Sequence, residues 1–264
     1  MNLKFSTLLL FIFTLSFSQS LKVMSFNIRL SLDSDKENSW THRKKEAIDL
    51  LSYYQPDYFG VQEAVPEQMR DIKNGLKNYN YVGVGRDDGK EKGEFSALFY
   101  DTRQLEVLRS GTFWLSETPE KPSKGWDAAY NRVCTYALFK DKKSSKKFLA
   151  MNVHFDHIGN VARVKSADLI LKKMKELNPQ NLPVVLSGDF NLTEETEPIK
   201  ILSNSLSDTF YHSEKQHYGP AGTFTDFNVN VVPKERIDYI FVKGFKVKSH
   251  RHINDRRENL LYPS

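Results

Sequence analysis

The chain has 264 residues, of which 39% are hydrophobic and 27% are charged, so it has the composition of a globular protein with one large α/β domain or two small ones. A formal net charge of +5 favours anionic partners such as phosphates, nucleic acid or acidic lipid head groups. The only cysteine, Cys134, excludes an intramolecular disulfide and a cysteine-based metal site.

The N-terminus has the pattern of a secretory signal peptide. Lys4 precedes an apolar run at residues 8–17, and small residues follow at the usual cleavage positions near Ser18 or Ser20. The run is short for a bilayer span, and a hydrophobic first strand or a membrane anchor is the alternative. We therefore expect a secreted or periplasmic protein with a signal peptide at residues 1–20, a domain at residues 21–264 and no stable membrane anchor.

Apolar periodicity predicts helices and strands that alternate in the first half of the chain and again around one later helix. In chain order, the predicted elements are a strand at 21–28, a helix at 40–54, a strand at 57–62, a helix at 66–76, strands at 81–85, 95–100, 105–114, 131–139 and 148–153, a helix at 159–177, a strand at 184–186, a short helix at 194–202 and strands at 236–242 and 245–252. Antiparallel hairpins between the helical units indicate one α/β (α+β) domain with mixed sheets.

Polar side chains lie where these strands end or are interrupted. In PVVLSGDFNL, residues 183–192, strand alternation places Asp189 and Asn191 on one side and Phe190 on the other. The whole set, drawn from five strands, is Asn27, Glu63, His154, Asp189, Asn191 and Asp238, the last in the middle of its strand. A single residue of this kind is usually a polar side chain whose hydrogen bonds are made within the fold. Glu63 alone, for example, could cap the next helix. Together they indicate a site at one edge of the sheets.

The chemistry of this set favours a hard divalent cation. Carboxylate and amide oxygens with few nitrogens suit Mg²⁺, Mn²⁺ or Ca²⁺. His154 and His157, three residues apart, leave zinc open as an alternative. At a junction between a strand and a loop, however, the directions of the two rings are not fixed as they are on a helix.

Five short motifs, in order along the chain, resemble those of one superfamily. MSFNIR, GVQEA, NVHFDH, SGDFN and RIDYIF are similar to motifs of the endonuclease/exonuclease/phosphatase superfamily, which includes DNase I-like nucleases, apurinic endonucleases, inositol-phosphate phosphatases and neutral sphingomyelinases. The resemblance covers nearly all of the chain after the signal peptide. It implies a DNase I-like, four-layered sandwich of two mixed β-sheets flanked by helices. It also implies metal-dependent hydrolysis of a phosphodiester or phosphomonoester.

The resemblance implies a role for each polar residue. Glu63 would be the principal ligand of one or two Mg²⁺ or Mn²⁺ ions, with Asn27 beside it. Asp189 would orient or deprotonate the attacking water, and Asn191 would donate a hydrogen bond to the scissile phosphate. His154 would stabilise or protonate the phosphate side. These roles fit a reaction that needs neutralised phosphate oxygens, an aligned water and a stabilised leaving oxygen.

Two further residues complete the implied site. Asp238 would orient a second histidine, and Arg132, near the start of its strand, would meet the phosphate from the neighbouring strand. The chain departs from the family pattern at Ser264, where it stops before the family's Ser-Asp-His motif is complete. We therefore expect a domain without its last strand and a weakly active or inactive chain. A catalytically impaired phosphate-binding protein is the alternative function.

The substrate is the least determined property of the sequence. We expect a monomer that acts on a phosphate ester, which could be a small molecule, a lipid head group or nucleic acid. Trp114, Trp126 and Tyr130 could stack on a base or a sugar, or could be core aromatics. The loops at residues 116–127 and 203–230 are expected to shape the pocket.

Overall fold

The computed structural model describes residues 20–264, so the predicted signal peptide lies outside the described residues except for Ser20. Residues 20–264 form ten strands, four α-helices and one 3₁₀-helix. The strands are β1 (Val23–Asn27), β2 (Tyr58–Gln62), β3 (Tyr79–Val82), β4 (Leu98–Asp101), β5 (Leu105–Trp114), β6 (Val133–Asp141), β7 (Lys147–His154), β8 (Val184–Asp189), β9 (Ser207–Asp208) and β10 (Asp238–Lys243). The helices are α1 (Trp40–Tyr54), α2 (Pro66–Gly75), α3 (Asn160–Leu177), α4 (Glu197–Ser203) and the 3₁₀-helix Asp33–Asn38. None of these helices has the length and apolar character needed to cross a membrane.

The strands form two mixed sheets. The four-stranded sheet has the order β1-β2-β4-β3, in which β1 and β2 are parallel and β4 is antiparallel to both of its neighbours. The six-stranded sheet has the order β5-β6-β7-β8-β10-β9, in which β7 and β8 are the parallel pair. A helix connects the strands of each parallel pair, as a crossover connection requires. The prediction of an α/β fold with mixed sheets is therefore confirmed.

Three buried clusters separate four layers. Between the sheets, Tyr58 and Leu98 of the four-stranded sheet share a cluster with Phe139 and Val185 of the six-stranded sheet. A second cluster holds α1 and α2 against the outer face of the four-stranded sheet. A third cluster holds α3 and α4 against the outer face of the six-stranded sheet. This order of layers confirms the four-layered sandwich that the family resemblance implies.

The sequence patterns explain which faces are buried. α1 buries Ala47 and Leu51, and α3 buries Ala167, Ile170 and Met174, at spacings of three or four residues. All residues of β2 and β8 are buried because both strands lie inside the sandwich, which is why each reads as a continuous run instead of an alternation.

A polar contact joins the two sheets near the ends of β2 and β7. Gln62 Nε2 donates to Asn152 Oδ1 at 2.7 Å, and Asn152 Nδ2 donates to the carbonyl oxygens of Val61 (2.9 Å) and Ala97 (3.0 Å). Gly60 leaves room for this amide, because a Cβ there would lie 2.3 Å from Asn152 Oδ1. These buried hydrogen bonds fix the position of one sheet on the other close to the strand ends.

The strand predicted at residues 245–252 is wrong. This segment forms isolated bridges, Ser213 with Val247 and Tyr218 with Arg251, and belongs to neither sheet. Its alternation of apolar and basic residues does reflect one packed face. The neighbouring chain, however, is an irregular loop and not a strand, so no continuous ladder forms.

Asp238 lies at the start of β10 and not in the middle of a strand as predicted. The backbone N–H groups of Ile237 and Asp238 both donate to Thr223 Oγ1 at 3.2 Å, so the N–H group of Ile237 does not take part in the ladder. The ladder with β8 begins at the pair Asp238–Asp189. Asp238 is therefore placed at the edge of the sheet, beside the ends of the parallel strands.

Candidate active site

The predicted site residues meet at one edge of the sandwich. β1 ends at Asn27, β7 ends at His154 and β8 ends at Asp189. His154 is paired with Asp189 across the parallel ladder, and Asp189 is paired with Asp238 across the antiparallel one. Glu63 follows β2 directly. The strand directions therefore place residues that are far apart in the sequence side by side.

Glu63 has an unusual backbone conformation at this edge. Its φ of 63° lies in the left-handed region, which residues other than glycine seldom adopt. Its Oε2 accepts a hydrogen bond from the N–H of Leu30 at 3.1 Å, and its Oε1 accepts one from Asn27 Nδ2 at 2.9 Å. These bonds hold the carboxylate toward the ends of β1 and β8.

Asn27 connects two carboxylates. Its Nδ2 donates to Asp189 Oδ2 at 2.8 Å as well as to Glu63, and its Oδ1 accepts from the N–H of Arg29 at 2.9 Å. The oxygen is the only side-chain atom of Asn27 that can bind a hard cation. Its predicted role as a metal ligand stays a prediction, whereas its role as a bridge between Glu63 and Asp189 is visible in these contacts.

Asp189 is a buried carboxylate held by amides. It is 3% exposed, and its Oδ1 accepts from the backbone N–H of Asn191 at 2.8 Å. Burial raises the pKa of Asp189 to about 6, and the negative charge of Glu63 acts in the same direction. Burial and the charge of Asp189 also raise the pKa of Asp238 well above its usual value. This half of the site therefore has an excess of negative charge that a cation would relieve.

Three of these side chains offer atoms for a metal ion. Ligand atoms of Glu63, His154 and Asp189 all lie within 4.8 Å of one another, and this is the one group of its kind among residues 20–264. Two carboxylates and an imidazole suit a divalent cation. His157 is absent from the group, so the arrangement does not support the zinc alternative based on His154 and His157.

His154 lies between this acidic group and a basic one. Asn191, with a φ of 50°, directs its Nδ2 at the carbonyl oxygen of Phe155 and at His154 Nε2, each at 3.0 Å. Because this amide nitrogen can only donate, His154 Nε2 accepts and Nδ1 carries the proton. Burial lowers the pKa of His154 well below its usual value, and the charges of Arg132 and Arg86 lower it further. The neutral imidazole is therefore the stable form.

Arg132, predicted to meet phosphate, is nearly enclosed in the site wall. It is 5% exposed, its Nε lies 3.4 Å from Asp156 Oδ2 and its Nη2 lies 3.1 Å from His157 Nδ1. Its Nη1 is buried and has no hydrogen-bond partner among residues 20–264. Burial lowers the pKa of Arg132, and the positive charge of Arg86 adds to this effect. An anion at this position would relieve both the missing hydrogen bond and the repulsion.

Two further charged residues of the site, Arg86 and Glu94, were not predicted. Arg86 Nη1 donates to Glu94 Oε2 at 2.7 Å, and the same oxygen lies 3.8 Å from His154 Nδ1. The predicted site residues follow or interrupt a strand, whereas Glu94 precedes one. β4 runs antiparallel to β2, so the chain just before β4 reaches the edge where β2 ends. The dipeptide Gly93-Glu94 before an apolar run was the signal that could have revealed it.

The remaining site contacts come from the loops. Thr223, in the loop predicted at residues 203–230, receives the N–H groups next to Asp238. At the other side, Ser264 Oγ donates to the carbonyl oxygen of Asn27, and Arg43 Nη1 donates to the carbonyl oxygen of Pro263 at 3.1 Å. The last residues of the described chain thus lie beside the end of β1. The predicted interaction of Asp238 with a second histidine stays a prediction.

Comparison with known proteins defines the family. Residues 24–258 match the model of the Endonuclease/Exonuclease/phosphatase family, and the chain belongs to this family. The chain is similar to the mannosyl-6-phosphatase of Bacteroides thetaiotaomicron VPI-5482, with 42% identity, a TM-score of 0.89 and coverage of 93% of this chain and 96% of that one. It is also similar to a family member from Bacteroides vulgatus, with 36% identity, a TM-score of 0.84 and coverage of 92% and 93%.

A more distant relative has a different activity. Tyrosyl-DNA phosphodiesterase 2 of Bos taurus is 23% identical over 235 residues, which are 86% of this chain and 59% of that protein. The family and these relatives identify the chain as a phosphoesterase of the DNase I-like fold.

Proposed function

We propose that this chain is a Mg²⁺- or Mn²⁺-dependent phosphomonoesterase that releases phosphate from a sugar phosphate. One observation carries the proposal. His154 lies between Glu63 and Asp189, which are able to hold a cation, and two buried arginines, Arg86 and Arg132, which are able to hold an anion. A phosphate ester bound to a divalent cation satisfies both halves. The 42% identity to a mannosyl-6-phosphatase over nearly the whole chain supports a sugar as the alcohol part of the ester.

The side chains divide the chemistry of hydrolysis. Glu63, with Asn27 beside it, holds the cation, which neutralises charge on a phosphate oxygen when it is bound. Asp189 takes the proton of the water that attacks phosphorus, and its raised pKa suits a base that acts near neutral pH. Asn191 Nδ2 exchanges its hydrogen bond to His154 Nε2 for one to a non-bridging oxygen of the phosphate. The new bond joins the water oxygen to phosphorus, and the bond from phosphorus to the sugar oxygen breaks.

The basic half serves the phosphate. Arg132, directly before β6, supplies positive charge near the end of β7. His154, neutral and with its Nδ1 proton toward Glu94, stands on the phosphate side as a polar group and not as a proton donor. The departing sugar oxygen takes a proton from solvent, and Asp189 returns the proton of the attacking water to solvent. The products are inorganic phosphate and the free sugar.

A substrate and metal screen tests this proposal. Release of inorganic phosphate is measured with mannose 6-phosphate and glycerol phosphate as monoesters, and product formation is measured with a bis-aryl phosphate and with DNA as diesters. Each assay is run with Mg²⁺, Mn²⁺, Ca²⁺, Zn²⁺ or EDTA. We expect turnover of the monoesters with Mg²⁺ or Mn²⁺ and no turnover in EDTA. Turnover confined to the diesters, or unchanged by EDTA, would contradict the proposal.

Glu63→Gln separates the enzyme from the alternative, a phosphate-binding protein that has lost catalysis. In the enzyme this substitution abolishes turnover while the circular dichroism spectrum stays the same. If the chain is instead a phosphate-binding protein, calorimetry should show that mannose 6-phosphate binds to the unsubstituted chain, while no metal supports hydrolysis of the ester.

A further inference from the structure

Tyr130 is the one exposed aromatic side chain among the three that the sequence suggested for stacking. It is 53% exposed, whereas Trp114 is 5% exposed and its Nε1 donates to the carbonyl oxygen of Arg86 at 2.7 Å. Trp126 is partly buried. Tyrosine has a large apolar face, and burying it against a ligand is favourable, so an exposed ring beside a site needs an explanation.

The backbone of Tyr130 is fixed to a buried carboxylate. Asp156, which is 2% exposed, accepts the N–H groups of Ala129 at 3.1 Å and of Tyr130 at 3.3 Å through Oδ2. Its Oδ1 accepts those of Ile158 and Gly159 at 3.0 and 2.8 Å. Burial alone would raise the pKa of Asp156, but these backbone hydrogen bonds hold it well below the usual value, so the carboxylate stays charged. These bonds fix the backbone of the loop from which the ring of Tyr130 projects.

The ring of Tyr130 rests on the basic wall of the site. The guanidinium carbons of Arg86 and Arg132 lie 5.1 and 6.0 Å from the ring centroid. The ring of His157 is nearly parallel to it, with an interplanar angle of 15° and a centroid distance of 6.0 Å. Arg86 contacts Glu94, and Glu94 in turn faces His154, so the ring lies on the side chains that line the site. Despite these contacts, Tyr130 is 53% exposed, so part of the ring faces solvent.

We propose that the exposed part of Tyr130 is the platform on which the pyranose ring of a hexose phosphate lies while its phosphate is in the site. This inference rests on the proposed function, because it concerns the sugar part of the same substrate. A pyranose presents one face of C–H groups, which suits the electron-rich face of an aromatic ring. A platform fixed before binding loses little conformational entropy when the ligand arrives. Tyr130 would then select hexose phosphates over phosphate esters of small acyclic alcohols.

The test compares two monoesters in three variants. kcat and KM are measured for mannose 6-phosphate and glycerol phosphate in Tyr130→Ala, Tyr130→Phe and Tyr53→Ala; Tyr53 is 80% exposed on α1 and serves as a matched control. In Tyr130→Ala we expect the ratio of kcat/KM for the hexose ester to that for the glycerol ester to fall about tenfold, mainly through KM of the hexose ester. Tyr130→Phe keeps the ring and should keep the ratio, as should Tyr53→Ala.

Two outcomes would overturn the platform. If Tyr130→Ala lowers activity on both esters equally, the residue only supports Arg86 and Arg132; if the ratio is unchanged, the ring makes no contact with the sugar. A binding measurement separates this result from failure of the proposed function. Calorimetry with mannose 6-phosphate and with inorganic phosphate gives the gain in affinity due to the sugar, and Tyr130→Ala should remove it. If no ester is turned over, the proposed function fails, but the difference in affinity between mannose 6-phosphate and inorganic phosphate still tests the role of Tyr130. If the sugar adds no affinity, the proposed platform is wrong.

Discussion

The two halves of the site differ in what they lack. The acidic half has an excess of negative charge, whereas the basic half has buried guanidinium N–H groups without hydrogen-bond partners in the part of the chain that the structure describes. In the acidic half, Glu63 and Asp189 share the amide of Asn27, and burial raises the pKa of Asp189. In the basic half, Arg86 and Arg132 are 9% and 5% exposed, and each has a buried N–H without a partner among residues 20–264. The guanidinium charges are paired with Glu94 and Asp156, but these two N–H groups are not satisfied within the described chain, and a buried polar group without a hydrogen bond is costly. Under the proposed function, a divalent cation would offset the charge of the acidic half and a phosphate would accept from the free N–H groups of the basic half.

The largest expected effect is loss of activity when the acidic half loses its base. Asp189→Asn keeps the size of the side chain but cannot take a proton from water, so kcat should fall by about 10²–10⁴-fold. The measurement is phosphate release at saturating Mg²⁺. Asp168→Asn, at an exposed position on α3, is the control and should have full activity. A loss of less than tenfold in Asp189→Asn would remove Asp189 from the role of base.

The same substitution should stabilise the metal-free protein. The pKa of Asp189 is raised in the folded state, so ionisation favours the unfolded chain, and stability is lost as the pH rises from about 4 through about 6. Asp189→Asn removes this effect and should raise the free energy of unfolding by about 3 kcal/mol at pH 8 in EDTA. The gain should vanish at pH 4, where the native carboxyl is protonated. Equal free energies of unfolding for the two proteins at pH 8 would show that ionised Asp189 does not destabilise the folded state.

Much of the acidic half follows from the sequence, because its residues come directly after apolar strands. Strand alternation and strand ends are sufficient to place Asn27, Glu63 and Asp189 at one edge of the sheets. Arg86 and Glu94 lie in a turn-rich segment before β4, and their position depends on the antiparallel direction of β4, which periodicity does not reveal. The local pattern therefore predicts the acidic half better than the basic half.

The strand predicted at residues 245–252 fails for a related physical reason. Its alternation records one packed face, but a strand needs a partner with free backbone groups, and only the loop around Ser213 and Tyr218 lies beside it. The start of β10 is missed because Thr223, which is distant in sequence, takes the N–H groups of Ile237 and Asp238. Sequence patterns report which side chains are buried, whereas the backbone partners are set by the tertiary structure.

The basic half should give an intermediate effect on substrate binding. Arg132→Lys keeps the positive charge but loses the planar guanidinium that reaches both Asp156 and His157. We expect KM for mannose 6-phosphate to rise about tenfold with a smaller change in kcat, because the loss affects the bound phosphate more than the attacking water. Arg70→Lys, the same substitution at an exposed position on α2, is the control. A fall in kcat without a change in KM would place Arg132 with the acidic half instead.

The smallest expected effect lies where the two halves meet. Glu94 neutralises Arg86 at 2.7 Å and faces the Nδ1 proton of His154 at 3.8 Å. Burial raises the pKa of Glu94, and the charge of Glu63 raises it further, although Arg86 opposes both. Glu94→Gln keeps the shape but leaves Arg86 without its counter-charge, so its guanidinium can interact more strongly with the phosphate. We expect KM to fall about threefold and kcat to fall by less than tenfold, since His154 loses only a weak electrostatic partner. Arg86→Gln should change KM in the opposite direction. If both variants raise KM, Glu94 and Arg86 act as one structural unit, and the boundary between the halves must be placed elsewhere.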